Sequence, residues 1–593
     1  MATHDYDIAN GTGAAVRADI NNVLSAIATN NSNGSAPSTT FPSQFFANTS
    51  TGIMQLRDTS NSAFINLFSL TGGPQFAVDG SISGQNIGRG ANAVSGNLCF
   101  GANALDGAVT GANNTAIGNS ALSANTSGIA NTAVGAFALD VATTANFNVA
   151  VGFASLSTNT TGVQNVATGT SSLFNNTTGS DNTAFGHEAL FNNTTASGNT
   201  AVGKGALALN TTGTTNVAVG AFALDANTTA NHNTALGYAS LTSNTTAPFN
   251  TAVGSSTLAN ATTGGANTAM GYNAMNLLST GTQNCAFGNT ALDALTTADA
   301  CNAFGSLALS ANTTASNNSA FGHAALALNT TGTLNTAVGS LSLDANTTGN
   351  SLTACGYGTL STNTTASDNT AIGFNALALN TTGTFNTAGG SASLDACTTG
   401  SDNTAFGYAT LSTATTGADN TCIGSAAGFD LTTGSNNLCL GKQAGRTASP
   451  SGLLNTDSNV VCLGNNNIAA AFIKVSITAG SDRRDKTDIE DFKFGLDWIN
   501  KMRPVTYRWD NRDWYENGTP DGSKKASQLE LGLIAQEELE IEKEFGFADT
   551  KENMLISSVN PSGSYGMKYE RIVPVLINAI KELSAKVTAL EAG

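Results

Sequence analysis

Apolar residues return to fixed places every 17 residues through most of this chain. A glycine closes Asn-Thr-Ala-(Val/Ile/Phe)-Gly at Gly118, Gly135, Gly152, Gly169, Gly186 and Gly203, and the rank runs from Gly101 to Gly441 in 20 steps of 17. One position before the glycine stands a bulky apolar residue, as in Ile117, Val134, Val151 and Phe185; two before it stands Ala, and four after it Leu, from Leu122 to Leu411 with one Met275. A short period held this long makes each repeat one turn of a solenoid, because an insertion would break the stacking of its neighbours. Between the columns lies Asn-Thr-Thr-Gly or a variant, as at 210–213 and 329–332. Asn and Gly supply left-handed and turn conformations and Thr favours extended backbone, so each turn reads as a strand, a second strand and a corner. Asn-Thr-Ala-Val-Gly alternates without charge on either side, which predicts a strand covered on both faces. One cover is the interior of the coil; the other, lined by Ala for close approach, is assigned to another copy of the chain. A lone thin coil buries too little apolar surface for the backbone it orders, so a homotrimer is expected.

These rungs resemble the head of trimeric autotransporter adhesins over roughly residues 95–465. The resemblance implies a mainly β fold, a homotrimeric left-handed parallel β-roll whose 17-residue turns form a solenoid shaft. At the far end Gly428 and Gly445 replace the Leu, as a terminal cap should.

Composition divides the chain again. Of 23 basic residues, only Arg17, Arg57, Arg89, Lys204, Lys442, Arg446 and Lys474 precede residue 481, and all three Trp (Trp498, Trp509, Trp514) follow it. The expected domains are therefore 1–80, a helix plus β-hairpin for attachment; 81–465, the repeat shaft; 466–480, a distal tip or linker; and 481–593, an α+β globular domain. A net charge of −17 argues against nucleic acid as a partner. No apolar run approaches a membrane span, and residues 1–10 are polar and acidic, which reads as no signal peptide and no membrane insertion. Cys99, Cys422, Cys439 and Cys462 each stand two before a Gly, where Ala usually is, and read as small buried thiols. Four scattered His and the absence of regularly spaced Asp point to no metal and no cofactor. Repeated Asn-X-Thr triplets read as corner chemistry, and adjacent Thr at a corner do not form the Thr-X-Thr rank of an ice-binding face. Tyr238, Tyr272, Tyr357 and Tyr408, each after a repeat Gly, read as core or interface residues, with receptor contact as the alternative.

The strongest chemical signal is Ser481-Asp482-Arg483-Arg484-Asp485-Lys486. A Ser hydroxyl is a poor nucleophile until a base takes its proton, and a Lys five residues on can fold back to do so. Taken alone, the same run reads as a helix start with Ser481 as N-cap. Downstream stand Leu496-Asp497-Trp498-Ile499, then 502–509 (Met-Arg-Pro-Val-Thr-Tyr-Arg-Trp), Gly532-Leu533-Ile534-Ala535-Gln536-Glu537 and Tyr569-Glu570-Arg571. In this order they resemble the C-terminal intramolecular chaperone of phage tailspikes and tail fibres, the endosialidase type, over 481–593. That resemblance implies Ser481 as autoproteolytic nucleophile, Lys486 as its partner, and a cut between Gly480 and Ser481. In the closing helix Val573, Leu576, Ile580, Leu583, Val587 and Leu590 recur at spacings of 3 and 4, a coiled-coil seam suited to three strands, against the alternative of a helix packed on its own domain.

Residues 14–29 read as an amphipathic helix, and 52–57 with 63–68 as a hairpin; this opening resembles N-terminal adaptor segments of marine phage tail fibres. The expected protein is a phage tail fibre, assembled in the host cytoplasm and located in the virion tail. Its N-terminus meets phage tail or adaptor proteins, and its segment from about Arg446 to Gly480 meets a polysaccharide or protein receptor on the host. The alternatives are a bacterial trimeric surface adhesin and a tailspike-type enzyme on host polysaccharide. The shaft offers no paired carboxylates for the latter, since Asp225, Asp344 and Asp395 are lone corner residues.

Overall fold

The computed structural model describes residues 12–28, 35, 45–60, 62–69, 80–82, 85–447, 449–468, 474, 481–560 and 563–593. The chain forms two compact units, Met1–Ser306 and Leu307–Gly593. The first opens with helix α1 (Gly13–Ala28) and a three-stranded antiparallel sheet of Phe45–Asn48, Ile53–Arg57 and Phe64–Ser69. The last two strands are the hairpin expected from sequence, with Arg57 opposite Phe64. The Ser/Thr/Asn-rich stretch before them lies largely outside the described residues, as do residues 1–11.

Coil turns fill the rest of the first unit and the beginning of the second. Each turn contributes one three-residue strand, such as Thr132–Val134 or Thr404–Phe406, paired in parallel with the same three residues of the next turn. The fold is thus mainly β, a solenoid of 17-residue turns. Beyond the strand the backbone still bonds turn to turn, as in Leu139 N to Ser155 O (3.1 Å) and Thr177 N to Thr194 O (2.8 Å). The second strand expected in each turn is absent. The Leu column and the residue two before it adopt left-handed backbone, as in Phe137 (φ 60) and Leu139 (φ 50), which breaks any extended run. Left-handed Leu costs about 1–2 kcal/mol. Full burial of the side chain, at 0% exposure in Leu139, offsets that with about 1.5–3 kcal/mol. The repeat glycine is required by geometry: Gly135 has φ 137, and a Cβ there would stand 2.3 Å from the Gly152 carbonyl oxygen.

The face assignment expected from alternation is reversed. Ala of the strand points into the coil, fully buried in Ala133, Ala150 and Ala235, and the bulky residue beside it points out. The interior is already occupied by Leu and by two columns of asparagine, so only a methyl group fits beneath the strand. These asparagines are not the left-handed corner residues the composition suggested. In the first column, before the strand, Asn131 Nδ2 donates to Asn114 Oδ1 (3.1 Å) and Ala145 O (2.8 Å), and Asn131 N donates to Asn114 Oδ1 (3.0 Å). In the second, Asn176 Nδ2 donates to Asn159 Oδ1 (2.9 Å) and Gly179 O (3.0 Å), and Asn193 repeats the pattern on Asn176. The adjacent Thr adds an outer rank, with Thr177 Oγ1 donating to Thr194 O (3.0 Å).

Toward the end of the coil, bulk moves between columns. Where Cys422 replaces the strand Ala, Gly428 replaces Leu, because a Cβ at Gly428 would lie 2.7 Å from Cys422 Sγ and 3.0 Å from Leu411 Cδ2. Cys439 and Gly445 repeat the exchange, with Leu454 filling the space. The last strand, Val461–Leu463, pairs with Leu438–Leu440 after a turn 23 residues long rather than 17. None of the eight cysteines forms a disulfide.

Among the described residues, three buried asparagine oxygens lack a donor, Asn125 Oδ1, Asn244 Oδ1 and Asn380 Oδ1. Each faces a turn whose matching residue is not Asn, namely Ala142, Ala261 and Cys397. Supplying the donor with Ala261→Asn should raise the thermal midpoint of the protein, and Asn176→Ala, which strands Asn159 Oδ1, should lower it through a local loss of about 1–3 kcal/mol. Circular dichroism melts beside the exposed control Thr178→Ala test this; equal effects of Asn176→Ala and the control would refute the ladder's role.

Candidate functional site

The local fold at Ser481 is a single tight turn. Asp482 has extended backbone, and its Oδ1 accepts from Arg484 N at 2.9 Å, capping the 3-10 turn Arg483–Asp485. Asp482, not Ser481, is therefore the cap, which leaves the Ser hydroxyl free for another partner. The Arg484 guanidinium bonds the same carboxylate (2.6 Å) and holds the Asp482 carboxyl below its ordinary range. The turn returns the chain on itself, so Lys486 Nζ lies 2.6 Å from Ser481 Oγ and 3.4 Å from Ser481 O. The whole run 481–490 is exposed. Gly480, the other side of the expected cut, lies outside the described residues, as does most of the 466–480 segment.

Behind this turn stands a small α+β body. Helix α2 (Leu496–Lys501), strands Val505–Tyr507 and Glu530–Gly532, helix α3 (Ala535–Glu544), strands Ser557–Val559 and Tyr565–Met567, and helix α4 (Ile572–Ala592) follow in order. Each strand pair is antiparallel. Trp498, Ile541, Ile556 and Val575 form the core, ringed by Phe492, Phe494, Phe545 and Phe547, with Trp498 stacked on Phe545 at 4.8 Å. Sequence reading did not single out the polar groups that fix this core. Trp498 Nε1 donates to buried Glu538 Oε1 (2.8 Å). Glu542, fully buried, accepts from Leu555 N (2.9 Å), Ile556 N (2.7 Å) and Ser557 N (2.5 Å), thereby fixing the strand that follows α3. The face that Glu538 and Glu542 share with Ala535, Leu539 and Ile541 on α3 was the available signal.

Helix α4 divides its faces. Val575 and Ala579 are buried against the body, Asn578 Nδ2 donates to Phe492 O (2.5 Å), and Glu582 accepts from Leu496 N (3.0 Å). Gly495 lets the loop approach, since a Cβ there would meet Ala579 N at 2.5 Å. Val573, Leu576, Ile580, Leu583, Val587 and Leu590 are all exposed, so the packing alternative does not hold for the seam residues. Pro574 sits in the first turn of the helix.

A cavity of about 920 Å³ lies between the last coil turn and this body, lined by Ser449 and Asn465 on one side and Trp509, Arg512, Trp514 and Tyr565 on the other. Among the described residues no helix is long and apolar enough to cross a membrane.

The sequence model of a family described as the chaperone of endosialidase matches residues 481–547. The match starts at Ser481 itself and ends at Phe547, ahead of α4. No curated protein matches the chain.

Burial raises the Glu538 carboxyl above its ordinary value, against the pull of the Trp498 bond. The folded chain thus keeps this proton to higher pH than the unfolded chain does, so stability of the domain should fall as pH rises from the ordinary carboxyl range through the raised value. Glu538→Gln, which can keep an acceptor for Trp498 Nε1, should flatten that slope. Urea unfolding followed by tryptophan fluorescence across pH reads this domain alone, because every Trp lies in it; an unchanged slope in Glu538→Gln would assign the dependence elsewhere.

Proposed function

We propose that this chain is a phage tail fibre of the tailspike-related kind, a homotrimeric virion protein whose C-terminal domain drives assembly and then cuts itself away. The observation that carries the reading is the joining of two opposites in one chain. A coil of near-identical turns is followed by a non-repetitive domain that matches the chaperone-of-endosialidase family from Ser481, where an amine already contacts the Ser hydroxyl. Identical turns permit pairing between copies at any multiple of 17 residues. The domain supplies the alignment the coil lacks, and the exposed seam of α4 is the surface through which three copies would join first.

Neutral Lys486 takes the Ser481 Oγ proton as that oxygen adds to the Gly480 carbonyl carbon. The Gly480–Ser481 C–N bond breaks and the proton passes to the leaving amine. Water then hydrolyses the Gly480 ester, leaving a carboxylate on Gly480 and a free amine on Ser481. Ser481 and Lys486 are both exposed in the single chain. Association of copies around the 481–490 turn would exclude water from the pair, so cleavage follows assembly.

Cleavage would also uncover Ser449 and Asn465, the coil's side of the cavity. The segment from Arg446 to Gly480 then becomes the tip that meets a host surface receptor, polysaccharide or protein. Residues 1–80 attach the fibre to phage tail or adaptor proteins, an arrangement favoured by Ile20 and Leu24, exposed on α1.

Intact mass of the purified full chain should give fragments 1–480 and 481–593. Ser481→Ala and Lys486→Met should each remain a single chain while still forming trimers by light scattering. An uncut wild-type trimer would remove the proteolytic step, and a Ser481→Ala chain that cannot trimerise would break the separation of assembly from cleavage.

A further inference from the structure

We infer that the outward face of the coil strands is the surface on which a second copy of this chain packs; this rests on the homotrimer reading above and assigns its contact face. Along each turn, exposure alternates: Leu334, Thr336 and Val338 point out while Asn335 and Ala337 are buried. Stacking turns converts this alternation into columns. The central column holds Phe185, Leu236 and Met270 in the first unit and Phe321, Val338, Ile372, Phe406 and Ile423 in the second, all exposed, Phe185 at 57% and Ile372 at 50%. No position of this column carries a charge from Phe100 to Leu463. Its residues already pack along the coil, with Phe287 stacked on Phe304 at 4.9 Å and the Phe406 ring lying where a Cβ on Gly389 would stand.

Aromatic residues flank the column on both sides. Phe147, Phe249 and Phe385 precede the buried Asn, and Tyr238, Tyr272, Tyr357 and Tyr408 follow the repeat Gly, each more than half exposed. The tyrosines therefore do not belong to the core of the single chain. An aromatic side chain offers 150–250 Å², so the five half-exposed rings of the first unit (Phe147, Phe153, Tyr238, Phe249, Tyr272) leave on the order of 500 Å² uncovered before the aliphatic column is added. The rings alone thus match the largest patch of a typical monomer, about 300–600 Å², and the aliphatic column added to them moves the face toward the roughly 800 Å² per partner of a stable interface.

The chemistry of the face selects its occupant. A saccharide needs convergent hydrogen-bonding groups, and Val, Ile, Leu and Met offer none. The column repeats once per turn, at about 4.8 Å, so a partner must carry the same period to engage every turn. Another copy of the coil does. The Ala face, which the alternation alone had assigned to this role, is closed inside the coil.

Native Cys355 lies in the column between Val338 and Ile372 and is exposed in the single chain. Maleimide labelling of the assembled full chain, with peptide mapping, should find Cys355 modified at least tenfold more slowly than a cysteine placed by Thr382→Cys on an exposed corner. Light scattering on the same sample gives the number of copies. An oligomer in which both thiols label equally fast would overturn the face while leaving the homotrimer standing. A monomer would overturn the homotrimer and this assignment together. Protection of Cys355 that is lost in Val338→Asp together with Ile372→Asp, the Asn ladders remaining intact by circular dichroism, would place the contact on these side chains.

Discussion

The buried asparagine ladders set the terms for everything else in the coil. A carboxamide inside an apolar coil is costly unless both its ends are bonded, and within the ladders most are bonded by the turns above and below. Asn131 accepts from the backbone N–H and amide of Asn148 (3.0 and 3.1 Å) and donates to the carbonyls of its neighbours. A turn lengthened by one residue would displace its Asn from both ladders. The period of 17 is thus enforced by polar satisfaction, and the apolar columns follow from it. Where length does change, in the 23-residue last turn, the first ladder ends: Asn437 bonds to Val460 N and Asp457 O, and no Asn continues it.

The ladders also fix which side of the strand faces inward. With Leu and two Asn enclosed in most turns, little volume remains beneath the strand, so Ala goes in and the larger residue goes out. An apolar stripe on the outside of a coil follows from an interior filled partly by polar groups. This inversion is why so much apolar surface stays uncovered on each unit of the single chain.

Much of this was legible in the sequence and part of it was not. The period, the columns, the hairpin and the α+β character after residue 481 came from spacing and composition. The inward face did not, because alternation distinguishes two faces without saying which is interior. Asn was read as a corner residue from its usual preference for turns, whereas its stacking partner lies 17 residues away and exists only once the coil is wound. Left-handed Leu runs against intrinsic preference, so no propensity argument would place it there. At the site, Ser481 and Lys486 were visible as a pair, but the cap made by Asp482 and the carboxylates of Glu538 and Glu542 depend on tertiary contacts that span up to 40 residues.

The flanking columns are less uniform than the central one. In the second unit Leu328, Leu334 and Tyr357 return as Leu379, Phe385 and Tyr408, each 51 residues on, or three turns. A slip of one turn between copies would set Ser351 where Leu334 stood, and a slip of two would set Asp368 there, placing a polar or charged residue on an apolar flank. A slip of three restores Phe385 there but sets Asn436 where Phe385 stood. The flanks therefore oppose misalignment at scattered positions, while every slip by whole turns keeps the uncharged central column matched. In the proposed assembly a reference point outside the repeat would fix the alignment, and the non-repetitive domain from Ser481 onward would be that point. Its removal after winding would then leave a coil whose alignment is held by many turns at once and is slow to undo.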